Sequence, residues 1–202
     1  MANYHDIRYN HNFPSASTGA MVHIKTLTSD GSDDDLTFVN GVSDVVLDST
    51  YKTYIFRCTN IHPSSDNKNF NVNFRDGGSA YDASKTTSYF RASQGENASP
   101  ASLQYETAVD LINSTAVQNL SKGGVGSDND HSCSGVLHLF NPSSTTFVKS
   151  FLSRVGGVEE TPQIYDWFAA GYINTTAAID EVQFYFSSGE IQGGTIGMFG
   201  VH

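Results

Sequence analysis

The run Tyr165-Asp166-Trp167-Phe168 contains the only tryptophan of the chain, next to an acidic hydrogen-bond acceptor. An aromatic ring can stack on the apolar face of a sugar, while a neighbouring carboxylate accepts hydrogen bonds from the sugar hydroxyls. Tyr165, Asp166 and Trp167 are therefore a candidate glycan-binding site. The alternative is that Trp167 and Phe168 begin a core strand, since aromatic residues dominate β cores. We expect the second arrangement, in which Trp167 and Phe168 begin a core strand.

Two other segments combine residue types that bind metal ions. The acidic segment Asp30–Asp35 offers carboxylates to calcium but lacks the alternating spacing and the distal glutamate of a helix-loop-helix site. The segment Asp128–Cys133 combines Asp, His and Cys, but the remaining histidines show no pairing at metal-ligand spacing. We expect a solvated turn and a strand-capping loop, with no metal or other cofactor. Calcium binding by the acidic segment stays open.

Signals for catalysis are weak throughout the chain. The sequence has no G-x-S-x-G motif, no P-loop and no dinucleotide fingerprint. Four carboxylates could in principle form the acid pair of a glycosidase, namely Glu106, Asp110, Asp180 and Glu181. Nothing in the sequence assigns any two of them to a common cleft, so we expect a protein that is not an enzyme.

The two cysteines, Cys58 and Cys133, lie far apart in the sequence, each within a strand-like pattern. Free cysteine is among the most frequently buried residues. We expect two buried free thiols, although the sequence alone leaves a disulfide open.

Composition and charge argue against two classes of partner. The 202 residues carry a formal charge of −10, from 21 acidic and 11 basic residues, and no segment clusters Lys and Arg. Phosphate-binding surfaces depend on such clusters, so we expect no nucleic-acid partner. No apolar run approaches the length of a membrane span, so we expect no membrane partner.

Hydrophobic periodicity predicts a chain built of short β-strands. Aromatic residues make up 12% of the chain, and apolar alternations are separated by turns rich in Gly, Ser, Thr and Asn. Strands are predicted at residues 21–27, 36–39, 45–47, 51–61, 70–74, 88–92, 103–109, 136–140, 147–155 and 167–173, with a closing hairpin within 179–201. Residues 110–120 could hold a helical turn.

The closing hairpin gives the clearest local signal. Phe184 and Phe186 alternate with polar neighbours such as Gln183, as in a strand with one buried face. A Ser-Ser-Gly turn follows, and Gly193-Gly194 indicates a bulge. We expect the two phenylalanines in the core and Gln183 on the opposite face.

These patterns together predict an all-β fold, an antiparallel jelly-roll-like β-sandwich over residues 21–202. Residues 1–20 are irregular and contain four spaced apolar side chains, Tyr4, Ile7, Tyr9 and Phe13. Exposed aromatic side chains are costly in water. We therefore expect residues 1–20 to be an irregular N-terminal arm that packs on its own domain or contacts a neighbouring subunit, rather than a free tail.

A series of short motifs runs through the chain beyond residue 20. In order they are Ile24-Lys25-Thr26, Ser49-Thr50-Tyr51 with Tyr54 and Phe56, Asn60-Ile61 with Pro63, Gly77-Gly78 with Tyr81, Asn129-Asp130, Ser134-Gly135, the run from Phe140 to Lys149 and the run from Gly171 to Thr176. The chain then ends on Ser-Ser-Gly, Gly-Thr-Ile and an aromatic-glycine-aliphatic triplet. In this order the motifs resemble small virion structural proteins of tailed bacteriophages, particularly marine cyanophages.

The resemblance implies a non-enzymatic structural protein exposed on the outside of a virion. It would be a capsid decoration or cement protein, a head fibre, or a small tail or baseplate fibre element. The alternative is a receptor- or glycan-binding fibre tip, whose partner would be a host surface glycan. The acidic charge also favours the outer surface, because it would repel packaged DNA.

The partners implied are further copies of the chain and other virion proteins. A homotrimer is expected first, since virion appendages are usually symmetric. The opening residues have neither the basic nor the apolar region of a secretory signal, so we expect synthesis in the host cytoplasm.

Overall fold

A computed structural model of the chain describes residues 21–96, 101–161 and 163–202. These residues form twelve strands and no helix. The strands are β1 Val22–Thr28, β2 Asp35–Val39, β3 Thr53–Pro63, β4 Phe70–Arg75, β5 Lys85–Gly95, β6 Ser102–Tyr105, β7 Gln118–Asn119, β8 Cys133–Phe140, β9 Lys149–Val158, β10 Gln163–Ile173, β11 Glu181–Phe186 and β12 Ile191–Val201. In the described part of the chain, no helix is long and apolar enough to cross a membrane.

The strands form two antiparallel sheets. The large sheet has eight strands in the order β1-β12-β3-β8-β9-β10-β5-β6, and the small sheet has four in the order β2-β11-β4-β7. Consecutive strands of the chain often lie in different sheets, so the chain passes repeatedly from one sheet to the other. The all-β prediction is thus confirmed for the described residues.

Aromatic side chains from both sheets meet in one core. Phe38 of β2 contacts Phe56 of β3 edge to face, with ring centroids 5.3 Å apart. Phe56 also contacts Phe184 of β11 at 5.4 Å, and Phe74 of β4 contacts Phe151 of β9 at 5.3 Å. Each of these pairs joins the small sheet to the large one. The two sheets therefore form a sandwich with a continuous hydrophobic interior.

The closing hairpin has the predicted form. Phe184 and Phe186 are buried, while Gln183 is half-buried and donates a hydrogen bond to Asp35 at 3.0 Å. Gly189 in the turn has a φ of 73°, in the left-handed region that favours glycine. The register of β12 against β3 shifts on both sides of Gly193, which confirms the bulge.

Other predicted elements differ from the structure. Residues 45–47 are not a strand, although Val45 and Leu47 are buried. The strand predicted at 103–109 ends at Tyr105, and the segment 110–120 contains the short strand β7 instead of a helical turn. Several apolar residues in these segments fill the core from loops, so their burial does not require a strand partner.

The predicted N-terminal arm, with Tyr4, Ile7, Tyr9 and Phe13, lies outside the described residues.

Two lysines lie inside the sandwich near one end of the large sheet. Lys85 of β5 and Lys149 of β9 are both cross-strand neighbours of Ile173, and both are fully buried. The Lys85 ammonium donates to the side-chain carbonyl of Asn73 at 2.9 Å and to the main-chain carbonyl of Ala83 at 2.8 Å. Burial lowers the pKa of Lys85 to about 8, since a charged amine is poorly solvated there.

Candidate interaction surface

The strict alternation of β10 separates the residues that the sequence grouped into one glycan site. Tyr165 and Trp167 point into the sandwich and are buried. Asp166 and Phe168 point outward and remain partly exposed. Because successive side chains of a strand point to opposite faces, Tyr165, Asp166 and Trp167 do not share a surface.

The indole of Trp167 is held from several sides in the interior. Its Nε1 atom donates a 2.7 Å hydrogen bond to the main-chain carbonyl of Lys122. The ring of Tyr165 stacks alongside it, with centroids 5.5 Å apart and planes 6° from parallel. Gly157 lies close to the indole, and a Cβ atom there would come within 3.0 Å of its ring. Trp167 is thus a core residue with no ring face available to stack a sugar.

Tyr165 is also covered on its outer side. The guanidinium carbon of Arg91 lies 4.8 Å from the centroid of the Tyr165 ring. Arg91 donates to the carbonyl of Lys122 at 3.1 Å, and its Nε lies 2.6 Å from a carboxylate oxygen of Glu106. Loop and strand residues therefore close this end of the sandwich over the Tyr165-Trp167 pair.

The outward side of the same strand carries a row of aligned side chains. Phe168 of β10 pairs in register with Arg154 of β9 on one side and with Phe90 of β5 on the other. Phe90 in turn pairs with Tyr105 of β6. We call Arg154, Phe168, Phe90 and Tyr105 the aromatic row. It crosses four neighbouring strands on the solvent side of the large sheet.

Contacts within the aromatic row are close. The rings of Phe90 and Phe168 stack with centroids 4.6 Å apart and planes 9° from parallel. The guanidinium carbon of Arg154 lies 4.9 Å from the centroid of the Phe168 ring. Such cross-strand pairs of rings and cations are favourable. They fix the outward side chains in a flat arrangement before any partner binds.

Further apolar side chains extend the row into a broad surface. We call the outward side chains of β5, β6, β9 and β10 the outer face. Its large apolar members remain exposed by 40% (Phe90), 74% (Leu103), 56% (Tyr105), 42% (Leu152), 50% (Ile164) and 38% (Tyr172). A shallow hollow lies beside the aromatic row, where Ala170 and Ser88 form the floor between larger neighbours.

The outer face contains almost no charge. Arg154 and Asp166 are the only charged residues at the outward positions of these four strands, all of whose outward residues the structure describes. They pair with each other through three hydrogen bonds, from Nε to both carboxylate oxygens at 3.0 and 3.2 Å and from Nη2 at 2.6 Å. For a chain of net charge −10, this surface is nearly neutral. It is chemically suited to bind an apolar partner.

The segments considered for metal binding form local turns. In the acidic segment, a carboxylate oxygen of Asp30 accepts hydrogen bonds from the main-chain nitrogen and the hydroxyl of Ser32, which lowers the pKa of Asp30. In the second segment, the main-chain nitrogen of His131 donates a 2.8 Å hydrogen bond to the main-chain carbonyl of Asp128, and Cys133 begins β8. Among the described residues, no three His, Cys, Asp or Glu side chains are placed to hold a metal ion.

Three of the four carboxylates considered for glycoside hydrolysis lie against arginines in two separate places. Asp180 and Glu181 both pair with Arg75, with Asp180 at 3.2 Å. Glu106 pairs with Arg91, as described above. The acid pair of a glycosidase needs two carboxyl groups that face one cleft, whereas Glu106 pairs with one arginine and Asp180 and Glu181 pair with another.

Cys58 and Cys133 are both buried and free, as predicted. Burial raises the pKa of Cys58 to about 12 and that of Cys133 well above its ordinary value. A thiol that keeps its proton is a poor nucleophile. Both cysteines serve as small apolar core residues.

The sequence of β10 contains a signal of the outer face, namely apolar residues on both sides of the strand. Ile164, Phe168 and Tyr172 occupy one side of β10, while Tyr165 and Trp167 occupy the other. Apolar residues at both parities of a strand indicate that both of its faces are covered or are available for covering.

The chain matches no family model, and neither a curated protein nor a solved structure is significantly similar to it.

Proposed function

We propose that this protein is a non-enzymatic structural component of a tailed-phage virion, exposed on the outer surface of the particle. The observation that carries the proposal is the outer face, a flat, preorganised and nearly uncharged apolar surface on a rigid β-sandwich. The largest apolar patch on a soluble monomer is often a functional surface. The resemblance of the sequence motifs to virion proteins supplies the setting.

The order of strands supports a jelly roll, the finer fold that we propose for the sandwich. In a jelly roll of eight strands, one sheet contains the first, eighth, third and sixth strands, and the other contains the second, seventh, fourth and fifth. Taking β2, β3, β4, β5, β6, β7, β10 and β11 as the eight, the small sheet is β2-β11-β4-β7. This order corresponds to the first, eighth, third and sixth strands of a jelly roll.

The large sheet gives the second order once its additional strands are set aside. Without β1, β12 and the β8-β9 hairpin, it contains β3-β10-β5-β6. The hairpin lies between the second and seventh strands of the jelly roll, and β12 and β1 extend the sheet at one edge. Rigid two-sheet bodies of this kind offer flat faces for symmetric contacts.

Within this proposal, the protein is synthesised in the host cytoplasm and binds copies of itself and other virion proteins. A homotrimer remains the stoichiometry predicted from the resemblance. The roles of capsid decoration or cement protein, head fibre, and tail or baseplate fibre element are all compatible with a flat contact surface.

The direct test is to locate the protein on purified phage particles. Antibodies against the purified protein should label intact particles in electron micrographs, and gel densitometry should give its copy number. Hundreds of copies would identify a capsid decoration protein, and tens or fewer would identify a fibre element. Particles that contain no trace of the protein by mass spectrometry would contradict the proposal.

The second candidate function is a receptor- or glycan-binding fibre tip. One observation favours it, the Phe90 ring, which is 40% exposed, is supported by Phe168 and lies in one row with Arg154 and its partner Asp166. Rings flanked by hydrogen-bonding groups can bind a sugar. In that case Phe168→Ala should abolish adsorption to host cells or to host polysaccharide, while incorporation into the particle stays intact.

A further inference from the structure

We propose that the outer face binds the outer face of a second copy of this chain, in a two-fold contact that places the aromatic row of each copy in the hollow of the other. This inference deepens the proposed function and rests on it only for the setting, since the contact itself can be measured on the isolated protein. A two-fold contact joins two copies, so the predicted homotrimer would be built through a different surface. Three properties of the face support it.

The first property is area. The exposed fractions of the six large apolar side chains correspond to about three whole side chains, or roughly 600 Å² at about 200 Å² each. A standard interface buries roughly 800 Å² on each partner, of which a little over half is apolar. The outer face can therefore supply the apolar part of a stable contact.

The second property is charge. Two copies of a chain with a net charge of −10 repel each other wherever their acidic surfaces approach. At the outward strand positions of the outer face the one acidic and the one basic group neutralise each other, and the nearest further carboxylate, that of Asp110, accepts a 2.9 Å hydrogen bond from the Tyr105 hydroxyl at the edge of the face. A strongly basic or acidic partner would find no complementary charge there. A second outer face is neutral and apolar in the same way.

The third property is shape. The aromatic row and the hollow run side by side across the same strands, since Phe168 and Ala170 are two residues apart on β10 and Phe90 and Ser88 are two apart on β5. Place a two-fold axis between the facing sheets, parallel to the row and midway between row and hollow. The two phenylalanine rings of each row then lie over the hollow of the other copy, so this part of the surface is complementary to itself.

A mixing experiment on the full-length protein tests this arrangement. Light scattering coupled to size exclusion should give a mass above 21.9 kDa for the wild type at tens of micromolar. Phe168→Lys changes the row, and Ala170→Glu fills the hollow. Each variant alone should associate about 100-fold more weakly, because each two-fold contact then contains two altered sites.

An equimolar mixture of the two variants should restore association. In the mixed pair, the ammonium introduced into the row of one copy meets the carboxylate introduced into the hollow of the other, and the remaining row and hollow are both native. Thr28→Lys, at an exposed position of β1 away from the face, serves as a matched charge control that should leave association unchanged. Far-UV circular dichroism and thermal unfolding confirm that each variant is folded.

Several outcomes would overturn the inference. They are a wild-type monomer at tens of micromolar, variants that associate as the wild type does, and a mixture that fails to recover. A wild-type monomer whose polysaccharide binding is lost in Phe168→Lys would identify a glycan as the occupant instead. Antibody labelling of particles tests the virion role separately. If the protein self-associates but does not label particles, only the virion role is contradicted. If it labels particles but is a monomer in solution, only the two-fold contact is contradicted.

Discussion

The two sides of β10 carry similar residues in different surroundings. On the inner side, the Trp167 indole donates its only N–H to a carbonyl and is enclosed by Tyr165 and the Gly157 backbone. On the outer side, Phe168 contacts a ring and a guanidinium but still faces solvent. The comparison shows that aromatic residues of one strand can have separate roles. The inner ones stabilise the fold, and the outer ones are available for a partner.

The largest expected effect tests this division within β10. Trp167→Ala should lower the free energy of unfolding by about 3 to 5 kcal/mol, because it leaves a large cavity and removes one of the two hydrogen bonds to the Lys122 carbonyl. Phe168→Ala, the adjacent outward residue, should cost under about 1 kcal/mol in the isolated subunit. Urea denaturation followed by circular dichroism measures both. Similar losses from the two variants would show that the division is wrong.

The same comparison can be made in the small sheet. Phe184→Ala should cost about 3 to 5 kcal/mol, since its ring contacts Phe38, Phe56 and Phe70 in the core. Gln183→Ala, on the opposite side of β11, should cost under about 1 kcal/mol. Thermal or chemical unfolding of the two purified variants gives the values. Equal and small effects would mean that the register of β11 differs from the one described.

The buried Lys85 ammonium makes the free energy of unfolding depend on pH. The folded-state pKa of Lys85, about 8, lies below the ordinary value of 10.5, so between these values the unfolded chain binds the extra proton. Stability from this group therefore rises with pH over that window and is constant below it. The free energy of unfolding should increase by about 1 to 2 kcal/mol from pH 7.5 to 9.5 relative to that of Lys85→Met.

The control for this measurement is a lysine on the surface. Lys52→Met, at an exposed position just before β3, removes a lysine from the surface instead, and the slope of Lys85→Met is compared with that of this variant. Tyrosines with raised pKa values, such as Tyr54, act in the opposite direction only as the pH approaches 10. A Lys85→Met protein that retains the full wild-type slope would contradict a buried ammonium of lowered pKa.

The smallest expected effect concerns the ion pair on the outer face. Arg154 is largely exposed, so removing Asp166 should cost under about 1 kcal/mol in the isolated protein. Self-association should respond more strongly, because Asp166→Asn leaves Arg154 without its partner on a surface that becomes buried. Light scattering of Asp166→Asn at low and high salt measures this. An association constant equal to that of the wild type would place the pair outside the contact.

The sequence was informative where one face of a strand is apolar and the other polar. In β11 the alternation of Phe184 and Gln183 predicted both strand and orientation. In β10 both parities are apolar, so the pattern could not tell whether Trp167 or Phe168 faces inward. That orientation depends on which residues of β5 and β9 lie opposite, and such pairing is non-local.

Two features could not be read from local patterns. The aromatic row joins residues of four strands, and its alignment depends on the register between segments far apart in the sequence. Lysine is seldom fully buried, so no local pattern indicates that Lys85 and Lys149 lie in the interior. Carbonyl oxygens of Asn73, Ala83 and Thr175 accept hydrogen bonds from their ammonium groups, and those carbonyls are brought there by the fold.

The position of Trp167 has an optical consequence. It is the chain's single indole, and in the folded protein it lies away from water beside the Tyr165 ring. Its fluorescence therefore reports from one known point in the core, with a blue emission that should move to the red when solvent reaches the ring. Because the outer face lies on the opposite side of the same strand, this native emission offers an internal check that a surface substitution has left the interior unchanged.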